Sequence, residues 1–232
     1  MTSLLRAGRR HGFDCVTALL GLAALAGCSS PPSSFYTLGS NDAPSTAHGA
    51  AAPALLIELA PVAVPPQIAR TAFVVQTSAN RVDVLEQTRW ASLPADEIRH
   101  ALSQDLTQRL GTLDVSGSPH PDSVPVYRVS ISVQRFESWP GSHTLIDAVW
   151  SVRALHSQTA LTCRSVVSQP VASGNDALVA GHRLALDRVA AKIAAGIEAL
   201  GAAPEVHVAS RASGESTGHG VRRLTNMPCP AE

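Results

Sequence analysis

The residues best placed for covalent chemistry in this sequence are Leu25-Ala26-Gly27-Cys28. Small residues in front of a cysteine, at the end of an apolar run, form the lipobox, where the thiol receives a diacylglyceryl group and the chain is cut. The freed amine of the cysteine can then take a further acyl chain. Two or three chains hold a protein firmly at a membrane, whereas one binds only reversibly. The preceding residues fit a signal: Arg6, Arg9 and Arg10 give a basic start, and Cys15 to Ala26 is an apolar run of 12 residues. That run is too short for a spanning helix, which needs roughly 20 residues. A twin-arginine signal at Arg9-Arg10 fits the following residues less well. Ser29 comes next. In Gram-negative bacteria Asp at that position tends to retain a lipoprotein in the inner membrane, so Ser29 sets the expectation of the outer membrane, periplasmic face.

Other reactive side chains are few. With Cys15 in the signal and Cys28 in a thioether, Cys163 and Cys229 remain for an oxidising compartment. A disulfide between them and two free thiols both stay open, because sequence does not report proximity. No CxxC or paired His/Cys spacing surrounds either, which disfavours zinc. Asp96 and His100 stand at i and i+4, a spacing that suits a base with an orienting carboxylate, but such pairs are ordinary on exposed helices. His182, four before Leu186 on an expected long helix, reads as a half-buried histidine or one at the edge of the core. Glu58, Glu137 and Asp147 lie in or beside expected strands, with nothing to show that two of them converge. P-loop, dinucleotide-binding, HExxH and EF-hand patterns do not occur, and the one GxSxG string, Gly214 to Gly218, falls in the Ser/Gly-rich tail and not between an expected strand and helix. The expectation is a protein that is not an enzyme, with no cofactor beyond acyl chains on Cys28 and no metal.

The elements that would carry these residues are legible from periodicity. Leu55 to Leu59 predicts a strand running into Pro61, Pro65 and Pro66. Thr71–Gln76 and Arg81–Gln87 predict a hairpin. Ser92 is the expected cap of a helix with Pro94 in its first turn and Ile98, Leu102, Leu106 and Leu110 as an apolar stripe ended by Gly111. Tyr127, Val129, Ile131 and Val133 alternate with polar residues, so they predict a strand with one buried face. Ile146 to Ala154 returns after Pro140-Gly141-Ser142, and Ala160 to Gln169 makes a third strand. Asp176 to Leu200 predicts a long helix with Leu186, Val189, Ile193, Ile197 and Leu200 on one face. Trp150 belongs to the core by its place in the alternation, and Trp90 to the helix entrance. Trp139, at a hairpin tip, is a candidate interface residue. The fold class is α+β: a single domain, mostly antiparallel sheet, with two amphipathic helices packed on one face.

Charge excludes one class of partner. Three of the eighteen basic residues and one of the eighteen acidic ones lie in residues 1–27, so the remainder carries 15 basic and 17 acidic side chains. Lys192 is the only lysine, and no basic stripe exists to neutralise phosphates, so no nucleic acid is expected. The expected organisation is a signal at 1–27, a lipidated cysteine and flexible tether at 28–53, a folded domain at 54–201 and a tail at 202–232. Both flanking segments are rich in Ser, Pro, Gly, Ala and Thr.

Phe35-Tyr36-Thr37-Leu38 resembles the FYxL signature of the PqiC/YmbA-type ABC-transport auxiliary lipoproteins. The similarity continues through Val64-Pro65, Ile68-Ala69-Arg70, Phe73-Val74-Val75, Asn80-Arg81 and Arg89-Trp90-Ala91. It extends to Phe136 and Leu145-Ile146-Asp147-Ala148-Val149-Trp150, and so spans nearly all of 28–200. This chain departs from the pattern at Thr71, where a proline is common, and at Ser92-Leu93-Pro94. The resemblance implies an outer-membrane-anchored accessory or docking subunit facing the periplasm. Its partners would be an MCE-domain protein and the associated permease and ATPase of a lipid-transport system that preserves envelope integrity. Phe35, Tyr36 and Leu38 become candidate interface residues, with addition of the motif to the sheet as a strand standing open beside partner contact, and a homo-oligomer would suit a subunit that caps a tunnel. The alternative is a periplasmic lipoprotein that carries a lipid in an apolar pocket without a stable transporter partner.

Overall fold

The structure, a computed structural model, describes residues 32–39, 53–157, 159–202 and 228–230. Its elements are strands β1 (Ser34–Tyr36), β2 (Leu56–Leu59), β3 (Ala72–Ser78) and β4 (Arg81–Trp90), then helix α1 (Pro94–Leu110). Strands β5 (Val126–Trp139), β6 (His143–Ala154) and β7 (Ala160–Pro170) follow, and helix α2 (Asn175–Ala202) comes after them. The fold is α+β, with two helices and two mixed, mostly antiparallel sheets in one body. One sheet has the order β1-β4-β3 and the other β2-β5-β6-β7. Antiparallel pairing accounts for the three long neighbours β5, β6 and β7, while β2 joins β5 in parallel with Leu56 opposite Val126.

The expected alternation sets the faces. Val129, Ile131, Ile146, Trp150, Val152, Leu161 and Val167 are buried beneath α2, whose Leu186, Val189, Ile193 and Ile197 face them. Two glycines let α2 lie close to the sheet. A Cβ on Gly196 would stand 3.2 Å from the Trp150 ring, and one on Gly181 would stand 2.4 Å from Val171 Cγ1 and 2.9 Å from Thr144 Oγ1. Glycine costs a helix about 1 kcal/mol relative to Ala, and close packing at these two positions offsets it. Helix α1 buries Ile98, Leu102 and Leu106 as its stripe predicts, and Gly111 ends it at φ 59° with its N–H on Thr107 O. Two ion pairs tie the helices together: Arg183 donates to both oxygens of Asp105 at 2.9 and 2.7 Å, and Arg109 meets Asp187.

Three expectations need correction. The cap of α1 is Leu93, with no side-chain hydrogen bond. Ser92 instead donates to Glu97, because the carboxylate of the fourth helical residue, in the first turn, reaches back to it. The β1 residues, placed in the tether by their surroundings, pair in parallel with β4, Ser34 opposite Thr88 and Tyr36 opposite Trp90. His182 is fully buried, not at a boundary. The expected tail also has a covalent tie to the domain, since Cys229 is disulfide-bonded to Cys163 of β7.

Candidate functional site

The segment with the most connections to the rest of the fold is Phe35-Tyr36-Thr37-Leu38. In an extended strand successive side chains alternate, and here that sends Tyr36 inward and Phe35 outward. The Tyr36 ring meets Phe73 at 5.3 Å, and Phe73 in turn stacks on Trp90 at 4.1 Å. Burial and the nearby Asp176 carboxylate at the start of α2 together raise the pKa of the Tyr36 hydroxyl. Phe35 is left 65% exposed.

Past β1 the chain turns onto α1 through one carboxylate. Glu97 Oε2 accepts Thr37 Oγ1–H at 2.8 Å and the Leu38 N–H at 2.9 Å. Its Oε1 accepts the Ser92 N–H at 3.0 Å and Ser92 Oγ–H at 2.8 Å. Burial pushes the Glu97 pKa up, but these four hydrogen bonds to its charged form outweigh burial and hold it below the usual carboxylate value. Leu38 is 1% exposed and packs in the core. That corrects its assignment as an interface residue: the Glu97 bond to its own N–H turns its side chain inward. Tyr36 is only partly accessible for the same kind of reason, while Phe35 keeps the exposure an interface needs.

Trp139 ends β5 at the hairpin tip. It is half-buried, with its ring on His143 at 5.6 Å and its Nε1–H donating to Glu137 Oε2 at 3.0 Å. Glu137 also takes two bonds from Arg135, at 2.7 and 3.0 Å. Other acids are engaged in the same manner. Asp147, 2% exposed, is held by both Arg164 donors at 2.8 and 2.6 Å. Glu58 pairs with Arg128. Asp114 accepts from Ser116, Ser103, Arg99 and the Leu59 N–H.

The histidines do not make a base. His182 stacks on Phe136 at 3.8 Å, its Nε2 is 2.8 Å from Ser138 Oγ, and burial lowers its pKa to about 3. Its Nδ1 has no hydrogen-bond partner. A neutral imidazole in an apolar stack is a packing residue. Asp96 and His100 both stand exposed on α1, beside an open cleft lined by Thr37, Ser92 and Arg99. Among the described residues no group of three His, Cys, Asp or Glu is placed to hold a metal ion. No helix among them is long and apolar enough to cross a membrane.

Cys28 and Ser29 lie outside the described residues. What sequence reasoning missed is Glu97, which reads locally as one more acid in a first helical turn. The available signal was the set of orphan donors flanking it, Ser92 just before the helix and Thr37 in the FYTL segment.

The family model for the ABC-type transport auxiliary lipoprotein component matches residues 36–194. The chain belongs to this family. The matched span begins inside β1 and ends in the last third of α2, so the family's shared part is the folded body itself. Among solved structures, an uncharacterized protein is 20% identical, with a TM-score of 0.58 over 72% of this chain and 99% of that one. The protein XCC0632 from Xanthomonas campestris is 17% identical, with a TM-score of 0.53 and the same coverage of each chain. Both likenesses concern the fold. No curated protein matches the sequence. Membership in the family makes the chain an auxiliary lipoprotein component of an ABC-type transport system, a role that implies a lipid-anchored, non-catalytic part.

Proposed function

We propose that this auxiliary lipoprotein is anchored through Cys28 in the outer membrane, faces the periplasm, and docks an MCE-type lipid transporter. The observation that carries the reading is the family match across residues 36–194, over a body in which Glu97, Asp105, Asp114, Asp147 and His182 are engaged in holding its own elements. Such a component contributes position and contact, not chemistry. The lipobox at Leu25-Ala26-Gly27-Cys28 supports the anchor, and Ser29 supports the outer membrane over the inner.

The carrier reading needs an interior able to take an acyl chain, and ligand pockets are usually about 300–1,000 Å³. The apolar cavity bounded by Ile68, Phe73, Trp90, Phe136 and Ser138 measures about 10 Å³, room for one water. The open cleft of about 340 Å³ beside α1 is lined by the polar side chains of Thr37, Ser92, Asp96, Glu97, Arg99 and His100, a poor match for an acyl chain. Docking therefore has the better support.

Affinity capture of the full-length lipoprotein from envelope membranes tests the proposal. An MCE-domain protein should co-purify together with its permease and ATPase. Repeated recovery of intact, membrane-bound lipoprotein without any MCE-domain protein would sink the docking role. Cys28→Ala should release the protein from the membrane fraction without unfolding it, and a variant that still pelleted with membranes would remove the anchor from the account.

A further inference from the structure

From the position of β1 we infer that one end of the domain, marked by Phe35 and Trp139, rests directly on the phospholipid surface that holds the anchor. The inference builds on the lipidation of Cys28 and adds a second contact to it.

Cys28 and Ser34 are six residues apart, and an extended chain covers at most 3.3–3.6 Å per residue, so roughly 20 Å separates the acylated cysteine from the first folded residue. As a flexible coil the same segment averages only about 13 Å. The 28–53 tether expected from composition would have held the domain well clear of the membrane. Strand β1 removes that freedom, because Ser34 to Tyr36 are paired with Thr88 to Trp90 in the sheet.

Side chains at that end suit a lipid surface. Phe35 is 65% exposed, one residue after the chain arrives from the anchor. A chain of contacts leads from it to Trp139. Ser34 pairs with Thr88; the Asn175 amide donates to Thr88 Oγ1 at 3.1 Å; and a Cβ on Gly141 would lie 3.0 Å from Ser173 Oγ. The β1 start, the N-terminus of α2 and the β5–β6 turn carrying Trp139 therefore share one end of the fold. Trp139, an aromatic ring with a polar edge, suits the membrane–water boundary, and Phe35 adds exposed apolar surface beside it. The carboxylate beside Trp139 is paired with Arg135 as well as with the indole N–H, which lowers its repulsion from anionic headgroups, while Asp176 at the start of α2 is an exposed acid of this end.

Leu113 provides the comparison. It is 60% exposed, and its carbonyl accepts the Ile57 N–H beside the β2–β5 pairing at Val126. Val126 is the first residue of β5 and Trp139 the last, a span of about 40 Å at 3.3 Å per residue. A domain standing on its Phe35 end holds Leu113 clear of the bilayer.

The test uses the lipidated full-length protein in phosphatidylethanolamine–phosphatidylglycerol vesicles with spin-labelled headgroups. Phe35→Trp and Leu113→Trp add reporters at two exposed positions, and the wild type supplies the background. Fluorescence added at position 35 should be quenched several-fold more strongly than that added at 113. Equal quenching at both, in protein that floats with the vesicles, overturns the surface contact and leaves the anchor standing. Failure of the wild type to float, like Cys28→Ala, would instead defeat the anchor reading on which the contact rests. Trp139→Phe is the second measurement. Because Trp90 and Trp150 are buried, this change should remove most of the lipid-dependent quenching of native fluorescence, and undiminished quenching would count against Trp139 as part of the contact.

Discussion

Glu97 accepts the backbone N–H of Leu38 at 2.9 Å across 59 residues of sequence, and with the Thr37 hydroxyl bond to the same oxygen this fastens the end of β1 to the first helix. The same carboxylate holds Ser92, so the entrance of α1 and the exit of β1 share a single acceptor.

Replacing Glu97 with Ala leaves four donors without their partner. The buried Leu38 N–H alone loses a charge-assisted bond, and the expected cost is about 2–4 kcal/mol. Hydrogen exchange should show residues 34–38 opening ahead of the rest of the domain. Protection at Leu38 equal to that of the wild type would refute the role. Glu97 has a folded pKa below its unfolded value, so its contribution is complete above the ordinary carboxylate pKa and is lost as pH falls through the folded value.

His182 acts at higher pH. Its pKa falls from 6.5 unfolded to about 3 folded, so the unfolded chain binds a proton that the native state refuses. The neutral-imidazole contribution is whole above pH 6.5 and declines as pH drops toward about 3. The full effect is on the order of 4 kcal/mol. His182→Phe should flatten the fall in denaturant-derived stability between these limits, even if the level at neutral pH drops because Ser138 loses its partner. An unchanged pH slope would show that another group carries it.

Reducing the Cys163–Cys229 bond opens a loop with a sequence separation of 66. The chain-entropy estimate for a loop of that size is about 4 kcal/mol. Cys229→Ser should lower the thermal midpoint while leaving the sheet and helix signals intact, and non-reducing electrophoresis should show the change in mobility. A midpoint equal to that of the oxidised protein would mean the tail's tie has no energetic consequence.

Gly181→Ala places a methyl group against Val171 and Thr144 at distances no real Cβ tolerates. Overpacking of this kind costs typically about 1–3 kcal/mol, more than the gain of about 1 kcal/mol in helix propensity from replacing Gly with Ala. Denaturant unfolding should show a net loss. A stabilised variant would mean that α2 lifts from the sheet without penalty.

By itself the sequence determined whatever rests on local periodicity and local motif. The alternation from Tyr127 to Val133, the stripe from Ile98 to Leu106 and the long apolar face of α2 all stand in the fold, because a period of 2 or 3.6 decides which side chains can be buried together. The proposed lipobox rests on adjacent residues in the same way, Leu25 to Cys28. Tertiary structure alone decided what depends on pairs far apart in the chain. Three residues, Ser34 to Tyr36, are too few to show a period, and they become a strand only through parallel pairing with Thr88 to Trp90. Leu38 is buried and Phe35 exposed because of where that pairing and Glu97 hold the backbone. Cys163 meets Cys229 because β7 lies at the edge of its sheet. Such contacts gain their energy from groups brought together by the whole fold, and composition around either partner does not announce them.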